Sequence, residues 1–131
     1  MISLRTGIDL IEIDRLETLN PRIRERFMER VYTTNELEDS RGGWASLAGR
    51  FAAKEAVAKA LGCGIGPVVW KEIEIRRGTQ GEPVLELHGK ARQMAGELGL
   101  HTWSISISHT RTHAAAVAVA LGAIGAGLET D

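Results

Sequence analysis

The segment Trp44–Leu61 constrains this chain more than any other. It is rich in alanine and free of proline, so a helix costs little there. It stops at Gly62-Cys63-Gly64-Ile65-Gly66-Pro67, a run that breaks helices. At about 100° per residue, Trp44, Leu47, Ala48, Phe51 and Ala58 form one apolar stripe, and Glu55 falls in its middle. A carboxylate among apolar groups costs several kcal/mol unless it is paired or binds a metal. The segment therefore predicts a core helix whose central acid needs a partner.

The surrounding pattern predicts a small α+β domain. Ile2–Ile13 is β-rich and apolar, a first strand turning into a helix near Ile11–Leu19. Asn20-Pro21 is a break, and Arg22–Arg30 is a short basic helix. Thr33 and Glu36 have capping-box spacing, so another helix starts there, and Arg41-Gly42-Gly43 is a loop. Strands are expected at Val68–Arg76 and Val84–Leu87, joined by a hairpin turn at Gly78-Thr79-Gln80-Gly81. Gly89–Leu98 is a helix. His101–Ser108 alternates Trp103, Ile105 and Ile107 with polar residues, a half-buried strand. Ala114–Leu121 is its hairpin partner across the short turn His109–His113. The expected fold class is a small antiparallel sheet packed with helices. It occupies one domain, 1–121, followed by a disordered tail, 122–131.

Composition narrows the function classes. The 131 residues suit one domain, and the net charge of −1 gives no field toward nucleic acid or membrane. Arg22–Arg30 holds four arginines in nine positions, but the run is short, Glu25 and Glu29 interrupt it and Phe27 is its one aromatic, which argues against a nucleic-acid patch. Cys63 is the only cysteine, which excludes an intrachain disulfide or zinc cluster and fits a reducing compartment. The start has no basic segment leading into an apolar core, so no signal peptide is expected. The apolar run Ala114–Leu128 falls short of the roughly 20 residues that span a bilayer. The expected location is the cytoplasm.

Asp9 is a second misplaced acid, in the apolar run Gly7-Ile8-Asp9-Leu10-Ile11 and on the strand face of Ile11 and Ile13. Taken singly, each acid has a structural reading. Glu55 and Lys59 stand at i, i+4 and could pair, and Asp9 could cap a helix beginning near Ile11. Taken together they suit Mg²⁺, which is held by one or two carboxylates, waters and a substrate phosphate. The residues alone leave these alternatives open.

Three motifs in order carry a resemblance over nearly the whole chain, about Ile2 to Leu121. Gly7-Ile8-Asp9-Leu10-Ile11-Glu12-Ile13-Asp14-Arg15-Leu16 resembles the first signature of the phosphopantetheinyl transferases. Phe51-Ala52-Ala53-Lys54-Glu55-Ala56-Val57-Ala58-Lys59-Ala60 resembles the second, and Ser106-Ile107-Ser108-His109-Thr110 the third. Order, spacing and length are similar to the short branch, the holo-acyl-carrier-protein synthases.

The resemblance implies transfer of 4′-phosphopantetheine from coenzyme A to a serine of apo acyl carrier protein, releasing 3′,5′-ADP. It implies Mg²⁺ on Asp9 and Glu55, with Lys59 beside them neutralising phosphate charge. Ile11 stands where the two-lobed branch has a third acid, so water is expected there. Arg50 and Lys54 become candidates for the nucleotide phosphates, and the loop at Gly62 for a close backbone approach. Ser108, His109 and Thr110 would reach coenzyme A across a subunit boundary in a homotrimer. The acidic carrier would meet Arg15, Arg22, Arg24 and Arg26, with Phe27 and Met28 as apolar anchors. The base that takes the serine proton stays open among His109, His113, a metal-activated water and the carboxylates. The competing readings are a non-catalytic carrier-protein or nucleotide-binding module on this fold, and a structural oligomer in which Glu55 pairs with Lys59.

Overall fold

A computed structural model describes residues 1–123. The order is β1 (Ile2–Glu12), α1 (Asp14–Glu17), α2 (Pro21–Val31), α3 (Thr34–Ser40), α4 (Trp44–Ala60), a 3₁₀ turn (Trp70–Glu72), β2 (Ile73–Arg77), β3 (Pro83–Leu87), α5 (Gly89–Glu97), β4 (Leu100–His109) and β5 (His113–Ala123). The α+β expectation holds, with two antiparallel sheets in place of one. One has the order β1-β5-β4 and the other is the β2–β3 hairpin.

α4 lies against the first sheet and also touches β2. Ala52, Ala53 and Ala56 of the helix and Ala114, Ala116, Ala118 and Ala120 of β5 are all buried. Small side chains on both surfaces let the backbones approach closely. The limit is reached at Gly7, where a β-carbon would overlap the carbonyl oxygen of Ala56. Only glycine fits that approach.

Local signals set the helix starts. Asn20 accepts a hydrogen bond from the Arg22 amide at 3.0 Å, with Pro21 in the first turn of α2. The capping box of α3 is complete. The Thr33 hydroxyl accepts from the Glu36 amide at 3.1 Å, and the Thr33 amide donates to the Glu36 carboxylate at 2.9 Å.

Three boundaries differ from expectation. β1 runs on to Glu12 and α1 shrinks to Asp14–Glu17, because β5 pairs with β1 along its full length, from Ile2↔Ala123 to Glu12↔His113. The expected strand Val68–Arg76 begins only at Ile73. Before it, the Glu72 carboxylate captures the Val69 amide at 2.9 Å and the chain closes into the 3₁₀ turn. Finally, β5 takes in Gly122 and Ala123, the first two residues of the expected tail, and the remainder of that tail lies outside the described residues.

Candidate active site

Asp9 and Glu55 open onto one cleft of about 520 Å³ between β1, α1, α2 and α4. Lys59 and Arg15 share its polar side, and Leu10, Ile23, Phe27 and Phe51 are among its apolar walls. β1 positions Asp9 by its alternation. Its odd residues, from Ser3 to Ile11, point toward α4, and its even ones point away.

Glu55 is half-buried, and its carboxylate makes no hydrogen bond among the described residues. Burial raises its carboxyl pKa, the Asp9 charge raises it further, and Lys59 offsets part of the rise. Two carboxylates facing one cleft, with the Asp9 charge disfavouring ionisation of Glu55, form an oxygen donor set that suits a hard divalent cation such as Mg²⁺.

The alternative in which Glu55 pairs with Lys59 does not form among the described residues. The Lys59 ammonium instead reaches across to β1, donating to the Ile8 carbonyl at 2.8 Å and to Asp9 Oδ1 at 3.2 Å. Lys59 is 53% exposed and Asp9 20%, so the ammonium can leave Asp9 at little cost. Asp9 lies inside the strand ladder and caps no helix. The helical wheel also needs revising. α4 is buried around most of its circumference, including Leu47, Ala48, Ala53 and Ala58, and Glu55 stands on the flank that faces the cleft. The apolar stripe did not identify the buried side, because two sheets enclose this helix.

Lys54 is the clearest correction. It is fully buried, and its ammonium donates to Glu36 Oε1 at 2.7 Å, the Ile73 carbonyl at 2.7 Å and the Trp70 carbonyl at 3.0 Å. A lysine with three acceptors and no exposure has no proton left for a nucleotide phosphate. Arg50 is nearly buried. It donates to the Ile75 carbonyl at 3.1 Å and to the Ser46 hydroxyl, yet it lines a second depression of about 240 Å³ together with Arg77 and His109.

The third-motif residues lie at the end of β4. Ser108 and His109 are exposed, and the His109 ring approaches the Thr110 carbonyl at 3.2 Å. The Thr110 hydroxyl accepts from the His113 amide at 3.0 Å and so shapes the β4–β5 turn. Gly62 has φ +78°, a left-handed value suited to glycine, beside the Arg5 guanidinium. The predicted residues therefore split between two places. Asp9, Glu55 and Lys59 share the first cleft, Arg50 and His109 share the second depression, and the two have no lining residue in common.

On α2, Arg22 and Arg26 are exposed, as is Arg15 on α1. Arg24 is engaged within the chain, donating to the Glu17 carbonyl at 2.9 Å and lying over the Trp44 ring. Phe27 and Met28, expected as outward anchors, pack against the core. Phe27 meets Phe51 at 5.3 Å between ring centroids, and Ile23 is the apolar residue α2 leaves exposed.

Glu74, Glu86 and His88 form a cluster the sequence reading missed. One potential ligand atom from each lies within 4.8 Å of the others. Glu74 and Glu86 face each other across the hairpin, a register that sequence alone did not reveal. Thr33, Asn35 and His88 already hydrogen-bond Glu74. An imidazole also makes this set less suited to Mg²⁺ than Asp9 with Glu55.

A sequence profile described as the 4′-phosphopantetheinyl transferase superfamily matches residues 5–119. A holo-[acyl-carrier-protein] synthase of Herpetosiphon aurantiacus is 48% identical, over 91% of this chain and 99% of the relative. One of Moorella thermoacetica is 51% identical, over 88% of this chain and 92% of the relative. The crystal structure of the Helicobacter pylori holo-[acyl-carrier-protein] synthase in complex with coenzyme A superposes with a TM-score of 0.80 at 33% identity. It covers 88% of this chain and 98% of that one.

Proposed function

The chain belongs to the 4′-phosphopantetheinyl transferase superfamily, and on that premise we propose that it transfers 4′-phosphopantetheine from coenzyme A to a serine of apo acyl carrier protein. The serine hydroxyl attacks the phosphorus that bears the pantetheine, and 3′,5′-ADP leaves. The observation that carries the reading is the meeting of Asp9 and Glu55 in one cleft, where the Asp9 charge adds to the cost of ionising Glu55. Their oxygens would hold Mg²⁺, which supplies charge neutralisation for the diphosphate of coenzyme A. Lys59 adds a positive charge beside them.

The second depression, with Arg50 and His109, is our candidate for the nucleotide end of coenzyme A. It complements the first cleft only if two copies meet. The outer face of the first sheet supports such an assembly. Leu4, Ile8 and Leu10 are 64–66% exposed there, and Val117 and Leu121 extend the patch onto β5. An apolar face of this kind on a small domain favours self-association. We assign it to a homotrimer, with the third-motif segment of one copy beside Asp9 and Glu55 of the next. Arg15, Arg22 and Arg26, with the exposed Ile23 that lines the cleft beside Arg15, form the surface for the acidic carrier. No helix among the described residues is long and apolar enough to cross a membrane. We assign the reaction to the cytoplasm on the chemistry of its two proposed substrates, coenzyme A and a carrier protein.

The test is incubation of the chain with coenzyme A, Mg²⁺ and several apo carrier proteins. Mass spectrometry should show each accepted carrier gaining one phosphopantetheine. No gain on any carrier refutes the reading and favours a binding module. Light scattering should give three times the 14.2 kDa chain mass, and Ile8→Lys should break the assembly and the activity together.

A further inference from the structure

Lys54 and Glu55 are consecutive on α4, yet only Glu55 reaches the cleft. We propose that Lys54 is a positioning residue for Glu55, its buried pair with Glu36 setting the rotation and depth of α4 so that the Glu55 carboxylate stands beside Asp9. This rests on the reading of Asp9 and Glu55 as metal ligands.

The pair is a junction of four segments. Lys54 extends from α4 and donates to the carbonyls of Trp70 in the 3₁₀ turn and Ile73 at the start of β2. Glu36 comes from α3. Its Oε1 takes the Lys54 ammonium and the Thr33 amide, and its Oε2 takes the Ile75 amide at 2.8 Å. Both side chains are 0% exposed, so no substrate phosphate reaches Lys54 while the junction is closed.

On the other side of Glu55, the carbonyl of Ala56 rests against Gly7 of β1. The residues before and after Glu55 are thus held by different sheets. An apolar side chain at position 54 would keep the helix buried but would let it turn. Three directed hydrogen bonds are satisfied at one orientation only. The lever is long. With side chains about 5–6 Å from the helix axis, a turn of about 30° moves a carboxylate by about 3 Å. A misplacement of about 1 Å can already cost a catalytic site about 100-fold.

The test compares Lys54→Met with Lys54→Met/Glu36→Gln. The single change strands a buried carboxylate and should lower the melting temperature sharply, and the double change removes that charge and should recover most of the loss. The double variant should still need about tenfold more Mg²⁺ for half-maximal turnover, with the KM for coenzyme A within about twofold of the parent. Mn²⁺ titration followed by electron paramagnetic resonance, with coenzyme A present, should show the same weakening without reference to turnover.

Parental Mn²⁺ affinity in the double variant would overturn the proposal, leaving Lys54 a purely structural residue. A raised KM for coenzyme A with unchanged metal dependence would also overturn it, in favour of a phosphate contact. If the double variant does not fold, Glu36→Asp decides. It keeps both charges while drawing the pair back by one methylene, and unchanged Mn²⁺ affinity there overturns the proposal as well. Glu55→Gln separates the two readings. If it binds Mn²⁺ as the parent does, the metal-site reading fails, whatever Lys54 does.

Discussion

Glu36 and Glu55 are both carboxylates set against α4, and they have opposite fates. Glu36 is sealed from water, and each of its oxygens is filled by the Lys54 ammonium or by backbone amides. Glu55 is half-buried, its carboxylate lacks a hydrogen bond among the described residues, and it faces another acid. One is satisfied within the fold and contributes to its stability. The other is left unsatisfied by the fold, and an unsatisfied acid at a cleft is what a cation or a reaction can use. The comparison teaches that burial alone does not separate structural from functional charges. Their hydrogen-bond accounting does.

Glu36→Gln should attack this contrast hardest. It leaves Lys54 buried without a counter-charge and should cost about 3–5 kcal/mol in urea denaturation. Glu55→Gln should do the reverse. Turnover should fall about 100-fold or more while the melting temperature stays level or rises, since the repulsion from Asp9 is relieved. Equal losses of stability in the two variants would erase the distinction drawn here.

Smaller effects sharpen it. The Tyr32 hydroxyl donates to the Leu47 carbonyl at 2.6 Å beside the sealed junction, and burial, then the Glu36 charge, push its pKa far up. Tyr32→Phe should cost about 1 kcal/mol by denaturation and leave the Mg²⁺ dependence alone.

The smallest effect is acid sensitivity at Glu74. Burial raises its pKa, but hydrogen bonds from Thr33, His88 and Asn35 outweigh that and leave it below the usual carboxylate value. A depressed carboxyl contributes stability above its unfolded-state pKa and loses it as pH falls through the folded one. Thermal melts below about pH 4.5 should therefore decline less steeply in Glu74→Gln than in the parent.

Much of this was legible beforehand. The capping box at Thr33 and Glu36, the extent of α4 and the hairpin at Gly78–Gly81 are local features that short-range sterics and hydrogen bonding decide. Asp9 and Glu55 stood out as acids in apolar runs, and the motif order marked them together. The error at β1 and α1 came from non-local pairing, since β5 holds Ile11 and Glu12 in the ladder. Lys54 could not be read for a similar reason. Its motif position and charge resemble those of a phosphate ligand, and its three acceptors come from segments 18 or more residues before it and 16 or more after it. Glu36 carried a capping signal but no sign of its second duty.

The sequence by itself determined the longer helices, the capping box of α3, the family and which acids were out of place, because periodicity and motif spacing are written in neighbouring residues. Only the tertiary structure decided which way each charge on α4 faces. Successive residues of a helix point about 100° apart, and what packs on each side settles whether a charge is closed in, as at Lys54, or left open, as at Glu55.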